Sequence, residues 1–198
     1  MTFIVLEGFS GTGKTTLAKI LERRGWLRLP ESAHAVSSEV PLADRADTFS
    51  DYSLVGATMQ YCSVIARSRR KTDIVAEGYF LSDLAYAMTR YDLGKSEAFP
   101  HLLKMVREIL REEVLRPDLY LLLIANSRTI RRRQETKNER EKNVSLFFRK
   151  RYYTAIEYLH RELGQSNLET VSTDSDMRKT LSRIMVMLDG SAKGASGS

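Results

Sequence analysis

An eight-residue segment near the amino terminus combines glycine, lysine and threonine at a spacing that suits phosphate chemistry. It runs from Gly8 to Thr15, reads GFSGTGKT, and fits the pattern G-x-x-x-x-G-K-S/T at every fixed position. The backbone N–H groups of such a loop converge on phosphate oxygens, and glycines let the chain approach where a Cβ would collide. The segment therefore predicts a phosphate-binding loop (P-loop).

The residues of this loop have distinct predicted roles. Lys14 can reach the β- and γ-phosphate oxygens of a triphosphate, and Thr15 is expected to ligate magnesium. Loop amides and the start of the following helix are expected to hold the phosphates. The predicted ATP-binding residues in this part of the chain are Gly8, Ser10, Gly11, Thr12, Gly13, Lys14, Thr15 and Thr16. ATP and Mg²⁺ are the predicted cofactors.

Two glutamates follow predicted strands and are candidates for chemistry. Glu77 ends the apolar run 73–77, and Glu31 follows a weaker strand over 26–29 that Pro30 closes. The carboxyl ends of parallel strands form the ligand crevice of an open sheet. Glu77 is predicted to hold magnesium, directly or through water, or to accept a proton from the attacking group. Glu31 is a candidate general base or acceptor-site group, and the alternative for both residues is a capping or surface glutamate.

A strongly basic segment lies between residues 128 and 142 and contains neither glycine nor proline. Such charge density is typical of a mobile lid, here over about 128–143, that closes over a triphosphate and stabilises the negative charge of the moving phosphoryl group. A solvated basic helix face is the alternative. A nucleic-acid-binding stripe is disfavoured because no aromatic residues are interleaved for stacking. The basic residues are Arg128, Arg131, Arg132, Arg133, Lys137, Arg140 and Lys142.

Strand-like and helix-like segments alternate along the chain. Continuous apolar runs over 3–6 and 118–124 predict buried parallel strands, and a last short strand is expected over 169–172. Helical spacing predicts helices over about 13–24, 51–70, 99–115 and 144–163, with Ser82 capping the helix after the third strand. The alternation predicts an α/β three-layer fold of the P-loop NTPase type, in which a five-stranded parallel sheet has helices on both faces.

Length and composition predict a single domain with one substantial core. The chain has 198 residues, of which 42% are apolar, and the domain is expected to cover 1–189 with a disordered tail over 190–198. Cys62 is the one cysteine, which excludes an intramolecular disulfide and favours a reducing, cytoplasmic compartment. The sequence contains no apolar run of about 18 residues, the length needed to cross a membrane, so no membrane span is expected. The net charge of +6 admits an anionic partner without identifying it.

Taken together, these motifs resemble the thymidylate kinase family of nucleoside monophosphate kinases. The P-loop segment matches the family's start, and Ile74–Tyr79 with Ser82, Ala85 and Tyr86 is similar to its Asp-Arg-Tyr segment. Its fourth strand, lid and next helix are matched by Pro117-Asp118-Leu119, Arg132, Arg140, Phe147-Phe148, Arg151 and Tyr153. The resemblance implies ATP-dependent phosphoryl transfer to dTMP or a related monophosphate. It further implies catalytic lid arginines at 132 and 140, an ATP contact at Arg128, and a homodimer.

The chain also departs from this family at two places. Glu77-Gly78 stands where the family has Asp-Arg, and Leu29-Pro30-Glu31-Ser32 replaces an Arg-Glu-Pro-Gly-Gly-like element. The chain also resembles deoxynucleoside kinases, which have glutamates after strands two and three and phosphorylate a hydroxyl. A hydroxyl acceptor benefits from a carboxylate that takes its proton, whereas a monophosphate mainly needs cations. Both acceptor classes remain open at this point.

Two further classes of function are less well supported by the residues. A nucleotide-dependent switch specific for guanine would be expected to carry an Asn-Lys-x-Asp motif, and the sequence has none. A nucleic-acid-binding module would rest on the basic segment alone. A small-molecule phosphoryl acceptor is therefore the predicted partner, with neither nucleic acid nor a membrane expected.

Overall fold

The computed structural model describes residues 1–42, 45–134, 145–165, 167–174 and 177–194. Five strands in these ranges form one sheet of order β2-β3-β1-β4-β5, and every neighbouring pair is parallel. The predicted five-stranded parallel sheet is confirmed. The strands are β1 (Phe3–Glu7), β2 (Leu27–Leu29), β3 (Ile74–Glu77), β4 (Leu119–Ile124) and β5 (Asn167–Ser172).

Helices connect successive strands and cover both faces of the sheet. They are α1 (Lys14–Glu22), α2 (Thr48–Ser68), α3 (Phe80–Asp92), α4 (Phe99–Ile109), α5 (Ser127–Gln134), α6 (Leu146–Glu162) and α7 (Met177–Gly194). Single 3₁₀ turns lie at Ser32–His34 and Glu113–Leu115. In the described part of the chain, no helix is long and apolar enough to cross a membrane.

The side chains of β1 alternate between two hydrophobic cores. Ile4 and Leu6 pack with residues of α1 and α7 on one face. Phe3 and Val5 pack with residues of α2, α3, α4 and α6 on the other face. Because both faces are covered, every residue of β1 is buried, which explains its continuous apolar run. The predicted three-layer arrangement is confirmed.

Two element predictions differ from the structure. The helix expected over 99–115 ends at Ile109, and the chain continues into the turn at Glu113–Leu115. The prediction that Ser82 caps α3 is wrong, because α3 already begins at Phe80. Ser82 instead lies in the first turn, where its hydroxyl is 2.8 Å from the Tyr152 hydroxyl. Two apolar residues therefore open this helix without a side-chain cap.

The lid and tail predictions fall partly outside the described residues. Of the predicted lid, α5 covers the part up to Gln134. Lys137, Arg140 and Lys142 lie outside the described residues. At the carboxyl end α7 continues to Gly194, five residues beyond the predicted domain boundary at 189.

Candidate phosphate-binding site

The P-loop follows β1, the central strand of the sheet, which lies between β3 and β4. Gly8 has a φ of 135°, in the left-handed region that favours glycine. A Cβ added at Gly8 would lie 2.4 Å from the Leu123 carbonyl oxygen, so a side chain there would collide with β4. The first fixed glycine of the motif is thus required by the close approach of two strands.

The ammonium group of Lys14 lies inside the loop and against a carboxylate. Its Nζ donates a hydrogen bond to the Gly8 carbonyl oxygen at 2.5 Å and lies 3.7 Å from Glu31 Oε1. Lys14 is buried, whereas the Glu31 side chain is 31% exposed. The structure therefore brings together the P-loop lysine and the glutamate that follows β2, two of the predicted site residues.

The segment that carries Glu31 is tied to two helices. The Tyr61 hydroxyl of α2 donates to the Pro30 carbonyl oxygen at 2.9 Å. The Ser32 hydroxyl donates to Asp83 of α3 at 3.3 Å, and the Thr58 hydroxyl donates to the same carboxylate at 2.6 Å. Burial raises the pKa of Asp83 to about 7. Asp83 thus joins α2, α3 and the Glu31 segment.

Glu77 lies on the α1 face of the sheet and is fully buried. It pairs in register with Leu6, which packs against α1, so both side chains point to the face that carries Thr15. Its Oε1 accepts a hydrogen bond of 2.6 Å from Arg28 Nε, and its Oε2 has no hydrogen-bond partner within the described ranges. The sequence predicted Glu77 in the crevice but did not predict its ion pair with Arg28.

Glu7 is a second fully buried carboxyl group, on the face of the sheet opposite Glu77. It alternates with Leu6 along β1. Burial raises its pKa to about 8, while the Ser82 hydroxyl and the positive charge of Lys14 act in the opposite direction. Sequence reasoning missed Glu7 because it ends an apolar strand. The signal was a carboxylate directly before the first P-loop glycine.

An aromatic cluster lies beside the P-loop on the α3 and α6 side. Phe9 is buried, and its ring centroid lies 5.6 Å from that of Tyr152 and 6.0 Å from that of Tyr86. The Phe9 N–H donates to the Tyr153 hydroxyl at 3.4 Å. The guanidinium carbon of Arg149 lies 5.3 Å from the Phe9 ring centroid. α6 therefore contacts the P-loop through both aromatic and cationic side chains.

The other side of the P-loop is held by α5 and the end of β5. The Thr173 hydroxyl is 2.7 Å from the Thr12 carbonyl oxygen. Arg133 donates to the Gly11 carbonyl at 3.2 Å and to the Thr173 carbonyl at 2.7 Å. Arg128 and Arg132, the other predicted site residues on α5, are exposed to solvent. Of the basic residues that the structure describes on α5, Arg133 is the one that contacts the loop.

Comparison of the sequence with known proteins gives one informative similarity. No family model matches the chain. A probable thymidylate kinase from Methanocaldococcus jannaschii is 29% identical over 147 residues, which cover 71% of this chain and 73% of that protein.

Comparison of the structure with solved structures gives similarity over almost the whole chain. Deoxyadenosine kinase from M. mycoides, with bound dATP, has a TM-score of 0.72 at 16% identity and covers 95% of this chain and 100% of its own. Thymidylate kinase from Candida albicans has a TM-score of 0.69 at 14% identity and covers 96% of this chain and 91% of its own. The fold is that of P-loop kinases. Together with the sequence similarity and the intact P-loop, this fold supports a P-loop kinase of the nucleoside monophosphate or deoxynucleoside kinase type.

Proposed function

We propose that this kinase transfers the γ-phosphoryl group of ATP to a hydroxyl group of a deoxynucleoside or a similar small molecule. The observation that carries this proposal is the position of Glu31, whose partly exposed carboxylate lies 3.7 Å from the Lys14 ammonium. A carboxylate there is placed to accept the proton of an attacking hydroxyl. Position 78, directly after Glu77, is a glycine, whereas a cation there would suit an anionic acceptor.

The charges around Lys14 support the same acceptor class. The Glu31 carboxylate lies beside Lys14 and acts electrostatically on two buried carboxyl groups, Glu7 and Asp83, whose pKa values burial raises to about 8 and about 7. A monophosphate would bring its negative charge towards the Glu31 carboxylate and would need added cations for compensation. A neutral hydroxyl acceptor adds no charge, and its proton has a nearby carboxylate to receive it.

The proposed reaction uses residues of the chain in a fixed order. Backbone amides of the P-loop bind the β-phosphate, and Lys14 leaves its contacts with Gly8 and Glu31 to bind β- and γ-oxygens. Glu31 is then free to accept the hydroxyl proton. As that proton moves to Glu31, a bond forms between the acceptor oxygen and the γ-phosphorus, and the bond from that phosphorus to the bridging oxygen of ADP breaks.

We propose that Thr15 and Glu77 hold Mg²⁺ on the α1 face. Glu77 is oriented by its bond with Arg28, and its second oxygen has no partner in the described part of the chain. Mg²⁺ in such sites is bound by one or two carboxylates together with substrate phosphates and waters. The described residues contain no group of three or more side chains that could hold a metal ion. A magnesium site in which substrate phosphates and waters supply the other ligands does not need such a group. When bound, the ion would neutralise charge on the β- and γ-phosphates.

A second candidate acceptor is dTMP or a related nucleoside monophosphate. The observation in its favour is the 29% identity with a probable thymidylate kinase. In this case cations from the lid, Arg132 and Arg140, would compensate the acceptor phosphate, and Arg128 would contact ATP in either case.

The cytoplasm is the proposed compartment, and a homodimer is the proposed assembly.

An acceptor screen tests the proposal directly. ADP release would be measured with each common deoxynucleoside and with each corresponding monophosphate, dTMP included. We expect deoxynucleosides to stimulate ADP release and Glu31→Gln to lower kcat by about 10²-fold or more, because general-base catalysis contributes about that factor. Lys14→Ala is expected to lose both activity and ATP affinity.

The matched control is Glu39→Gln, which changes an exposed glutamate in the same connection between β2 and α2. This variant should keep the wild-type rate. Stimulation by monophosphates alone, together with full activity of Glu31→Gln, would replace the hydroxyl acceptor by the second candidate.

A further inference from the structure

We propose that Arg149 is a catalytic residue that contacts the transferred phosphoryl group, in place of the cation that is missing at position 78. This inference rests on the proposed phosphoryl transfer and adds a residue to it. The negative charge of a phosphoryl group in transfer spreads over its equatorial oxygens, and kinases supply cations to those oxygens. The structure offers a cation from α6 rather than from the end of β3.

The backbone explains why position 78 does not carry a long side chain. Gly78 has a φ of 76°, which is strained for any residue with a Cβ. Its N–H donates to the Leu6 carbonyl oxygen at 2.9 Å, so the residue is held directly beside β1. A Cβ built at Gly78 would have the Ser82 Oγ as its nearest neighbour, at 3.5 Å. A side chain at this position would therefore point towards α3 and the aromatic cluster.

Arg149 of α6 lies in the same region, on the α3 and α6 side of the P-loop. The Ser82 hydroxyl is 2.8 Å from the Tyr152 hydroxyl, and the Tyr152 ring packs on the Phe9 ring. The Arg149 guanidinium lies over this Phe9 ring. Phe9 is the P-loop residue that follows Gly8. Ser82, Tyr152 and Phe9 thus form a continuous chain of contacts between Gly78 and Arg149 beside the P-loop.

One hydrogen-bond donor of Arg149 lacks an acceptor. Its Nε is buried and has no hydrogen-bond partner in the part of the chain that the structure describes. A buried donor without an acceptor is destabilising, and more so when the group is charged. The contact with the Phe9 ring stabilises the charge without using an N–H donor. Phosphoryl oxygens would supply the missing acceptors, and the forked guanidinium suits them.

The test compares Arg149→Gln and Arg149→Lys with Lys150→Gln, a change of the exposed neighbouring residue on α6. We expect Arg149→Gln to lower kcat by about 10²–10³-fold, as for other removed transition-state donors, with the ATP dissociation constant within about threefold of wild type. Arg149→Lys should recover part of this loss. Lys150→Gln should keep the wild-type kcat. A kcat of Arg149→Gln within threefold of wild type overturns the proposal and assigns the cation to another residue.

A second measurement does not depend on finding the acceptor. ADP with aluminium fluoride mimics a transferred phosphoryl group, so Arg149→Gln should bind it at least tenfold more weakly than wild type while binding ADP alone equally well. If this difference is found but no acceptor stimulates ADP release by the wild-type protein, the role of Arg149 is retained and the proposed acceptor class is rejected. Equal binding of ADP with aluminium fluoride by both proteins rejects the role of Arg149 whatever the acceptor. If Arg149→Gln does not fold by circular dichroism, Arg149→Lys is judged by the same criteria.

Discussion

Glu7 is an ionisable residue at a fully buried position of β1. The other residues of this strand are apolar. Burial disfavours its charged form, which raises its pKa to about 8. The carboxyl therefore holds a proton at neutral pH in the folded protein and releases it in the unfolded protein. This difference links the stability of the chain to pH at a single residue.

Glu7→Gln is expected to change the pH dependence of stability. The folded pKa of Glu7 lies near 8 and its ordinary value is 4.5, so its contribution is complete below about pH 4.5 and is lost as pH rises through 8. Glutamine does not titrate and avoids this loss. The free energy of unfolding of Glu7→Gln, relative to wild type, should rise with pH by up to about 1.4 kcal/mol per unit in that window.

Denaturant unfolding of both proteins between pH 5 and pH 9 measures this difference. Asp83 titrates in the same range but is present in both proteins, so it does not produce the expected divergence. Parallel stability curves across the range would show that Glu7 is ionised in the folded state.

Residue-level predictability depended on whether the chemistry was local in sequence. The P-loop was recognisable because all its residues are consecutive. The approach of Glu31 to Lys14 followed from the rule that parallel strand ends meet at one edge. The Arg28–Glu77 pair depends on the β2–β3 register, and the position of Arg149 over Phe9 depends on how α6 docks. Neither of these is encoded in local spacing.

At the scale of elements, α5 and the end of β5 act together as a brace for the P-loop. Arg133 connects the Gly11 carbonyl to Thr173, and Thr173 connects to the Thr12 carbonyl. These bonds fix the orientation of two loop carbonyl groups, and with them the peptide planes that carry the neighbouring amides. The basic α5, predicted as part of a lid, thus has at least one arginine with a positioning role.

Arg133→Ala is expected to weaken nucleotide binding more than it slows the chemical step. Hydrogen bonds from a charged donor contribute about 1.5–3 kcal/mol. Loss of part of that energy in the ATP-bound state would raise the ATP dissociation constant by roughly threefold to thirtyfold. Isothermal titration calorimetry with magnesium-ATP measures the change. Arg133→Lys keeps the charge without the fork and should give an intermediate value, and an unchanged dissociation constant in Arg133→Ala would contradict the brace.

Element predictions succeeded where the apolar pattern was strong and failed at boundaries. Three of the strands, β1, β3 and β4, follow apolar runs, and the weak β2 was predicted because proline ends it. The cap assigned to Ser82 was wrong because α3 starts with Phe80, whose side chain is buried in the core. Where a helix begins was set there by packing rather than by a polar capping residue.

At the scale of the whole molecule, ligand binding at the P-loop should stabilise the entire chain. The loop contacts β4, α5, α6 and the end of β5, so a ligand that requires the folded loop requires those elements as well. Magnesium-ATP at about 100 times its dissociation constant should add about 2.7 kcal/mol to the free energy of unfolding. For a chain of this length that corresponds to a rise in Tm of roughly 5–10 °C.

Thermal unfolding followed by circular dichroism, with and without magnesium-ATP, measures this rise. Lys14→Ala serves as the comparison because it removes the ammonium that binds the phosphates. An equal rise in Tm for Lys14→Ala would mean that ATP stabilises the protein from a different site.

The strand order has a consequence for how the protein is made. β1 is the first strand to be synthesised, but its partners β3 and β4 begin at residues 74 and 119. Closing such long intervals costs chain entropy that is recovered only when the later strands pair. A nascent chain therefore carries its phosphate-binding sequence, which ends at Thr15, for about a hundred further residues of synthesis before β4 begins at Leu119. Nucleotide binding during synthesis would consequently report that the central sheet has been completed.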